Sequence, residues 1–277
     1  MFSAKTEQAI AKSLLWLCTG LTIMALVFIV GFVLVHGLPG LNLSFLTEQP
    51  RRMGKEGGVF PFVVATLHMT GLAILIAAPL GVGTAIYLTE YTRESKLTVV
   101  IRSGADCLAG VPSIIFGLFG FVFFVIRLKL GWSMLSGGLT LALMVLPTII
   151  RTSEEAIRAV PRAYRDVAFG LGSTRWQMVT RVILPSALPG ILTGVILSIG
   201  RSVSETAAVM LTAGSSLKAP LSPLDPGRNL AYHFYILATE GISKSNAYRT
   251  AAVLILAILL INFSAYWLMR RFVARRS

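Results

Sequence analysis

The chain has 277 residues, of which 55% are hydrophobic and 13% are charged, and its mean hydropathy is +0.76. Soluble domains carry roughly 25% charged residues, so this composition excludes an ordinary soluble protein and favours a membrane bundle. The net charge is +13. Because the Lys and Arg residues cluster between apolar runs, we interpret them as topology signals and lipid contacts, not as a nucleic-acid surface.

Six apolar runs predict six membrane-spanning helices. They cover residues 13–35, 59–88, 106–126, 134–150, 185–212 and 250–269. The first run lacks a cleavage-site pattern and predicts an anchor, not a signal peptide. We therefore predict an all-α polytopic helix bundle. It comprises an N-terminal segment at 1–12, a six-span domain at 13–269 and a basic tail at 270–277.

Lys and Arg residues are unevenly distributed over the connecting segments. With six spans both termini lie on one side, and that side carries fifteen Lys and Arg residues against nine on the other. Segments facing the cytoplasm are enriched in these residues. We therefore expect both termini to be cytoplasmic. The segments 90–104 and 213–249 are expected to be a short charged loop and a long loop rich in Gly and Pro.

The fifth run carries two charges, Arg201 and Glu205, near its middle. A charge there costs roughly 2.5 to 3.5 kcal/mol on insertion scales, so both side chains must face another helix or a watery cavity. On a continuous helix residues four apart share one face. The two residues are therefore either a substrate site or a structural ion pair between helices. Ser204 and Thr206 would add hydroxyl groups to a substrate site.

The longest polar segment between spans covers residues 151–181. Residues 154–158 and 161–168 predict short helices with a narrow apolar stripe, and 169–173 predict a sharp turn. Such a segment either folds back on its own bundle or forms a rigid knob that docks into a partner.

A second unusual pattern opens the third run. Gly110, Pro112 and Ser113 predict a kinked helix, which is either a gate or a place of close helix packing. The three His and two Cys residues lack metal-ligand spacing, so we expect no metal site. No Gly-x-x-x-x-Gly-Lys-Ser/Thr loop occurs, so we expect no bound nucleotide and no cofactor in this chain.

One motif in the polar segment resembles the cytoplasmic signature of bacterial ABC-importer permeases. In that family the pattern is Glu-Ala-Ala, three residues, Gly, nine residues, Ile, one residue, Leu-Pro. Here Asp166 replaces Glu, Val167 replaces Ala and Val182 replaces Ile. The resemblance implies a type I (MetI-like) permease fold and makes 151–181 the coupling segment that seats in an ATPase subunit. The residues that match the motif and would couple to the ATPase are Asp166, Val167, Ala168, Gly172, Leu184 and Pro185.

Other segments of the chain resemble a smaller group within these permeases. Segments 200–206 and 108–117 are similar to the permeases of the high-affinity phosphate ABC importer, and 57–61 and 85–91 most resemble its A-type (PstA-type) subunit. This implies half of the pathway of an ATP-driven phosphate importer in the bacterial inner membrane. The implied partners are a second, PstC-like permease subunit, two PstB-like ATPase subunits, a soluble PstS-like phosphate-binding protein, phosphate and the lipid bilayer.

The hydrogen-bonding groups of phosphate match those of Arg201 and Glu205, the two charged residues of the fifth run. The Arg201 guanidinium can donate two hydrogen bonds to phosphate oxygens. Phosphate keeps at least one proton at neutral pH, which the Glu205 carboxylate can accept. Sulfate has no such proton, so an acceptor-only Glu205 would reject it.

Three alternatives are consistent with parts of the sequence. The first is a permease for another oxyanion, such as molybdate or sulfate, or for a small solute. The second is an intramembrane enzyme that uses Glu205 as an acid, although no His, Ser or Asp constellation supports it. The third is a membrane scaffold or sensor, which would leave Arg201 unexplained. Stimulation of ATP hydrolysis by sulfate instead of phosphate in the assembled complex would favour the first alternative, and turnover of a substrate by this chain without an ATPase would favour the second.

Overall fold

The structure is a computed structural model that describes residues 4–93 and 95–274, and these residues are mostly helical. The outermost parts of the predicted N-terminal segment and basic tail, 1–3 and 275–277, lie outside the described residues. Five helices are long and apolar enough to cross a membrane: Ile10–Gly37, Phe60–Tyr91, Met134–Arg158, Arg175–Val203 and Lys244–Arg271. The sixth candidate is a pair of helices, Thr98–Ala109 and Ser113–Arg127, bent by 103°. The predicted all-α bundle is confirmed.

The α-helices of the described residues are numbered in chain order. They are α1 Ala4–Gly37, α2 Leu43–Thr47, α3 Phe60–Ile86, α4 Lys96–Ala109, α5 Ser113–Gly120, α6 Met134–Arg158, α7 Arg162–Gly170, α8 Arg175–Met178, α9 Leu184–Val203, α10 Ala207–Thr212, α11 Leu230–Thr239 and α12 Lys244–Ala274. Wider π-helical turns follow α3, α5 and α8 at Tyr87–Tyr91, Phe121–Arg127 and Val179–Ile183. A short antiparallel pair, β1 (Pro50–Arg51) and β2 (Glu56–Gly57), closes the loop after α2.

The centre of the bundle is the packing of α3 against α6, with α9 alongside. Met69, Leu141 and Ile149 are fully buried between these helices. The α3 and α6 backbones approach closely because small residues lie between them. A Cβ atom added at Gly81 would lie 2.7 Å from Cγ2 of Ile149. Close approach through small residues is how membrane helices gain packing energy.

Helix α1 lies at the edge of the bundle and contacts mainly α12. The Tyr248 ring lies 6.0 Å from the Phe32 ring and 5.3 Å from the His36 ring, measured between centroids. In its most apolar stretch none of the α1 residues is buried inside the chain. Most of this helix must therefore face lipid or another subunit.

Around the third run the structure corrects one expectation and confirms another. Residues 96–104 are helical and not part of a loop, because α4 begins at Lys96, where the Ser95 side chain accepts a hydrogen bond from the Thr98 amide. Lys96 and Arg102 of this segment lie on α4, an amphipathic helix that a search for apolar spans does not detect. The kink predicted near the start of the third span, at Gly110, Pro112 and Ser113, is confirmed. Pro112 lacks an amide hydrogen and restricts the residue before it, so the chain bends between α4 and α5.

The predicted coupling segment 151–181 is more helical than expected. Residues 154–158 form the last turns of α6, and 161–168 correspond to α7. Gly172 makes the predicted turn with a φ of +77°, in the left-handed region that favours glycine. Thr174 and Gln177 form a capping box that starts α8, which runs through a π-turn into α9. Within the segment 151–181, only α7 and the turns on either side of it lie outside the candidate spans Met134–Arg158 and Arg175–Val203.

The segment 213–249 contains an unexpected helix, α11. Asn229 caps it by accepting a hydrogen bond from the Tyr232 amide at 2.9 Å. At ten residues, α11 is too short to cross a bilayer. It packs against α12 and α3, where Leu230, His233 and Leu237 are buried.

Candidate functional site

The candidate site lies at a break in the fifth span, at residues 204–206 between α9 and α10. The helix ends at Val203 because the Ser204 hydroxyl donates to the carbonyl oxygens of Gly200 and Arg201, both at 3.1 Å. Such local side-chain bonds compete with helix formation. The expectation that Arg201 and Glu205 share one face of a continuous helix was therefore wrong. We call residues 204–206 the break.

Two side chains hold the open backbone of the break in place. The Asn229 amide donates to the carbonyl oxygen of Glu205 at 2.6 Å. The Glu205 carboxylate accepts a bond from the Ala208 amide through Oε1 at 3.4 Å, near the start of α10. A carboxylate at a helix N-terminus is electrostatically favourable. The break is therefore an ordered structure, which is how non-helical backbone is tolerated at membrane depth.

Arg201 lies in the last turn of α9 and is partly buried. Among residues 4–93 and 95–274, no hydrogen bond or ion pair engages its guanidinium, and Glu205 is not its partner. A cation is favourable at the carboxyl end of a helix, where carbonyl groups lack partners. The arrangement gives no support to a structural Arg201–Glu205 pair and leaves the guanidinium free to bind an anion.

The two hydroxyl residues also lie at the break, in different roles. The Ser204 side chain is exposed, and its hydrogen is used by the backbone carbonyls. Thr206 occupies the capping position of α10, but its side chain makes no capping bond. All four predicted substrate residues therefore lie in the break or in the last helical turn before it, and not along one face of a continuous helix.

The candidate gate is linked to this site by direct packing. Gly110, Pro112 and Ser113 form the 103° bend between α4 and α5. Beyond the bend, α5 packs against α10. A Cβ atom added at Gly117 would lie 2.9 Å from Cα of Ala208. A movement of α5 would therefore displace the helix that follows the break.

The candidate coupling residues divide between the surface and the core of the chain. Asp166 and Val167 are exposed on α7, Ala168 is buried, and Gly172 is exposed in the turn. Leu184 and Pro185 are partly buried at the start of α9. Leu171 is 81% exposed, so much of the apolar stripe is not covered by the chain itself. Of the two interpretations of this segment, the docking knob fits these exposures better.

Sequence reasoning missed a buried cation next to the break, Arg228. It is 3% exposed, and its Nη2 donates to the carbonyl and hydroxyl oxygens of Ser215 at 3.1 and 2.7 Å. Its guanidinium also lies over the Phe62 and Tyr232 rings. Nη1 lies 3.3 Å from His233 Nδ1. Asn229, a cap residue ahead of an apolar run, was the sequence signal for this region.

His233, in the short helix α11, is 1% exposed and stacks on Phe62. Burial, with a smaller contribution from the Arg228 charge, lowers the pKa of His233 from 6.5 to about 3. The imidazole is therefore neutral at physiological pH and can accept a hydrogen bond from Arg228. Burial also lowers the pKa of the Arg228 guanidinium.

The part of the chain that the structure describes holds no group of three His, Cys, Asp or Glu side chains that could bind a metal ion.

Comparison with known proteins gives relatives that align over nearly the whole chain. The probable ABC transporter permease protein YqgI of Bacillus subtilis is 31% identical over 95% of both chains. The phosphate transport system permease protein PstA of Pasteurella multocida is 33% identical over 93% of this chain and 89% of its own. PstA 1 of Mycobacterium tuberculosis is 32% identical over 98% and 91%.

Solved structures share the fold at lower identity. The inward-facing MetNI methionine ABC transporter gives a TM-score of 0.62 at 19% identity, covering 75% of this chain and 92% of that one. A bacterial alginate ABC transporter gives 0.64 at 16% identity, covering 97% and 99%. Residues 77–277 match the family described as binding-protein-dependent transport system inner membrane component. With that match and the full-length relatives, the chain belongs to this family of multi-pass inner-membrane transport components.

Proposed function

We propose that this chain is the permease subunit of an ATP-driven importer of inorganic phosphate and forms half of its translocation pathway. The observation that carries the proposal is the Arg201 guanidinium, partly buried at a helix break and unbonded to any other described residue. The relatives named phosphate transport system permease support phosphate as the anion.

Import of phosphate requires an energy source. Moving an anion inward against a negative-inside potential costs about 2.3 kcal/mol per charge per 100 mV, or roughly 4 to 5 kcal/mol for doubly charged phosphate. We assign ATP hydrolysis to two partner subunits and expect no ATPase site in this chain. The other partners are a second permease subunit and a soluble phosphate-binding protein.

Within the site, Arg201 binds the phosphate oxygens and Glu205 selects for a protonated anion. Oε1 of Glu205 accepts the Ala208 amide, and no described residue donates to Oε2. That oxygen is available for the proton of hydrogen phosphate, which sulfate lacks. The exposed Ser204 oxygen and the uncommitted Thr206 hydroxyl belong to the residues on either side of Glu205.

The proposal includes further assignments, which are supported by the Lys and Arg bias, the exposed residues of α7 and the packing of α5 on α10. Both termini are cytoplasmic, and α7 docks into an ATPase subunit through its exposed apolar residues. Asp166, Val167, Ala168, Gly172, Leu184 and Pro185 position that contact. The bend at Gly110, Pro112 and Ser113 acts as a gate through the packing of α5 on α10.

The substitution Arg201→Ala tests the proposal in proteoliposomes that contain all four kinds of subunit. Two charge-assisted hydrogen bonds contribute about 1.5 to 3 kcal/mol each, so phosphate uptake should fall by roughly 100-fold or more. The complex should still assemble. Arg127→Ala, at an exposed arginine, is the matched control and should transport normally. Normal uptake by Arg201→Ala would refute the proposal, and stimulation of ATP hydrolysis by sulfate instead of phosphate would favour another oxyanion.

A further inference from the structure

One sequence motif, 85–91, has no role in the site described so far, and its one charged residue is Glu90. Glu90 lies in the π-helical turns Tyr87–Tyr91 that end the second span, and its side chain is 6% exposed. π-Turns within helices are frequent at functional sites. A carboxylate buried to this extent requires a charged partner or several hydrogen bonds.

The partner of Glu90 is Arg165 of α7, the residue directly before Asp166. Arg165 Nη2 donates to Oε1 at 2.6 Å, and Nε donates to both carboxylate oxygens at 3.2 and 3.3 Å. The same guanidinium donates to the carbonyl oxygens of Ile157 and Val160 at 3.1 and 2.8 Å. One side chain therefore joins α7 to the ends of both the second and the fourth span.

Apolar packing connects the same three elements. Ala168 of α7 is buried in a cluster that includes Ala85 from α3 and Ile157 from α6. Protein cores have low compressibility, so a displacement of α7 is transmitted to the helix ends on which it packs. The opposite, exposed side of α7 is the one that we assign to the ATPase.

A second contact extends this linkage to the bent pair of helices. Arg102 of α4 donates to the carbonyl oxygen of Leu88 at 3.3 Å, two residues before Glu90. Arg102 also forms an ion pair with Glu154 of α6, with Nε 2.6 Å from Oε1. Arg158 Nη2 donates to the same carboxylate oxygen at 2.7 Å. Helix α4 leads to the bend, and α5 beyond the bend packs on α10. A continuous chain of contacts therefore runs from α7 to the break.

We propose that the Glu90–Arg165 pair is the joint that couples α7 to the substrate site. In this role Glu90 and Arg165 are positioning residues, since neither touches the transported ion. The proposal rests on the proposed function for the identity of the ion and for the docking of α7. The proposal predicts that the Glu90–Arg165 pair is needed for the phosphate-loaded binding protein to stimulate ATP hydrolysis. The pair also stabilises the fold.

The test measures ATP hydrolysis by the complete reconstituted complex, with and without the phosphate-loaded binding protein, and phosphate uptake in the same vesicles. In Glu90→Gln, basal hydrolysis should persist while the stimulation ratio falls by about fivefold or more, together with uptake. Arg165→Lys keeps the charge but loses the two-pronged geometry, so its ratio should be intermediate. Glu155→Gln, at a 71% exposed carboxylate of α6, is the matched control and should behave as wild type.

A single substitution leaves one buried charge unpaired, so a double variant separates coupling from folding. Glu90→Gln/Arg165→Met removes both charges and should assemble fully while remaining uncoupled. A double variant with the wild-type stimulation ratio would overturn the proposal. Loss of assembly in every variant would also overturn it, because the pair would then be only structural. Failure of the wild-type complex to import phosphate would instead refute the proposed function.

Discussion

Arg201 and Arg165 are two partly buried arginines in the same bundle whose surroundings are opposite. Arg165 donates to a buried carboxylate and to two carbonyl oxygens. The Arg201 guanidinium bonds to no other group within the described ranges, although it too lies partly inside the chain. The charge of Arg165 is satisfied by the fold, whereas that of Arg201 is available to a visiting anion. Burial and residue type alone would not distinguish the two roles, and the count of bonded partners does.

The largest expected effect comes from removing each arginine in turn. Arg165→Met leaves Glu90 buried without its partner, so the free energy of unfolding should fall by about 3 to 5 kcal/mol. Arg201→Met removes no bond to the described chain, so its change should stay within about 0.5 kcal/mol. Denaturant unfolding of the purified permease in detergent measures both. Equal destabilisation by the two substitutions would contradict the conclusion that the fold satisfies the charge of Arg165 but not that of Arg201.

Glu205→Gln tests whether the break selects its anion. The glutamine side chain can donate as well as accept hydrogen bonds, so it should no longer penalise sulfate. We expect the preference for phosphate over sulfate to fall by roughly 10- to 100-fold, the equivalent of about 1 to 3 kcal/mol. Calorimetric titration of the purified permease pair with each anion bypasses the binding protein. Glu48→Gln, at an exposed carboxylate, should leave the preference unchanged.

A smaller effect, dependent on pH, is expected near the break. The folded-state pKa of His233 is about 3, below its ordinary value of 6.5, so the unfolded state binds more protons between these limits. Stability is therefore fully present above pH 6.5 and should fall by about 1.4 kcal/mol per pH unit as the pH drops below it. His233→Gln should flatten this slope in unfolding measurements. The exposed His68 is the control, and a His68→Gln variant that flattened the slope equally would contradict the assignment.

The smallest expected effect is that of Asn229→Ala, which tests whether Asn229 only caps α11 or also supports the substrate site. Asn229 caps α11 and holds the Glu205 carbonyl, whereas Asn42 caps only the short helix α2. Replacing either residue by Ala should reduce stability by about 1 kcal/mol. Only Asn229→Ala should also reduce phosphate uptake, because it releases the backbone of the break. Equal uptake by the two variants would show that Asn229 acts only as a cap.

The spans were predictable because hydrocarbon imposes a minimum apolar length on any helix that crosses it. The motif at 166–185 likewise located α7 correctly. The break was not predictable, since it depends on the Ser204 hydroxyl and on Asn229, which lies 24 residues after the Glu205 carbonyl that it bonds. Helix α4 was missed because Lys96, Arg102 and Asp106 interrupt its apolar residues, and α11 because it is short. The Glu90–Arg165 pair joins residues 75 positions apart, a distance that local patterns do not span.

The isolation of α1 has a consequence for how the protein is made. Its main neighbour, α12, begins about 200 residues after α1 ends. At roughly 5 to 20 residues per second, the ribosome needs about 10 to 40 seconds to synthesise that interval. During this time α1 must remain inserted without its intramolecular neighbour. Because the stretch from Ser13 to Val35 carries no charge, α1 is stable in the lipid without that neighbour. The later helices are therefore inserted next to an anchor that already spans the membrane.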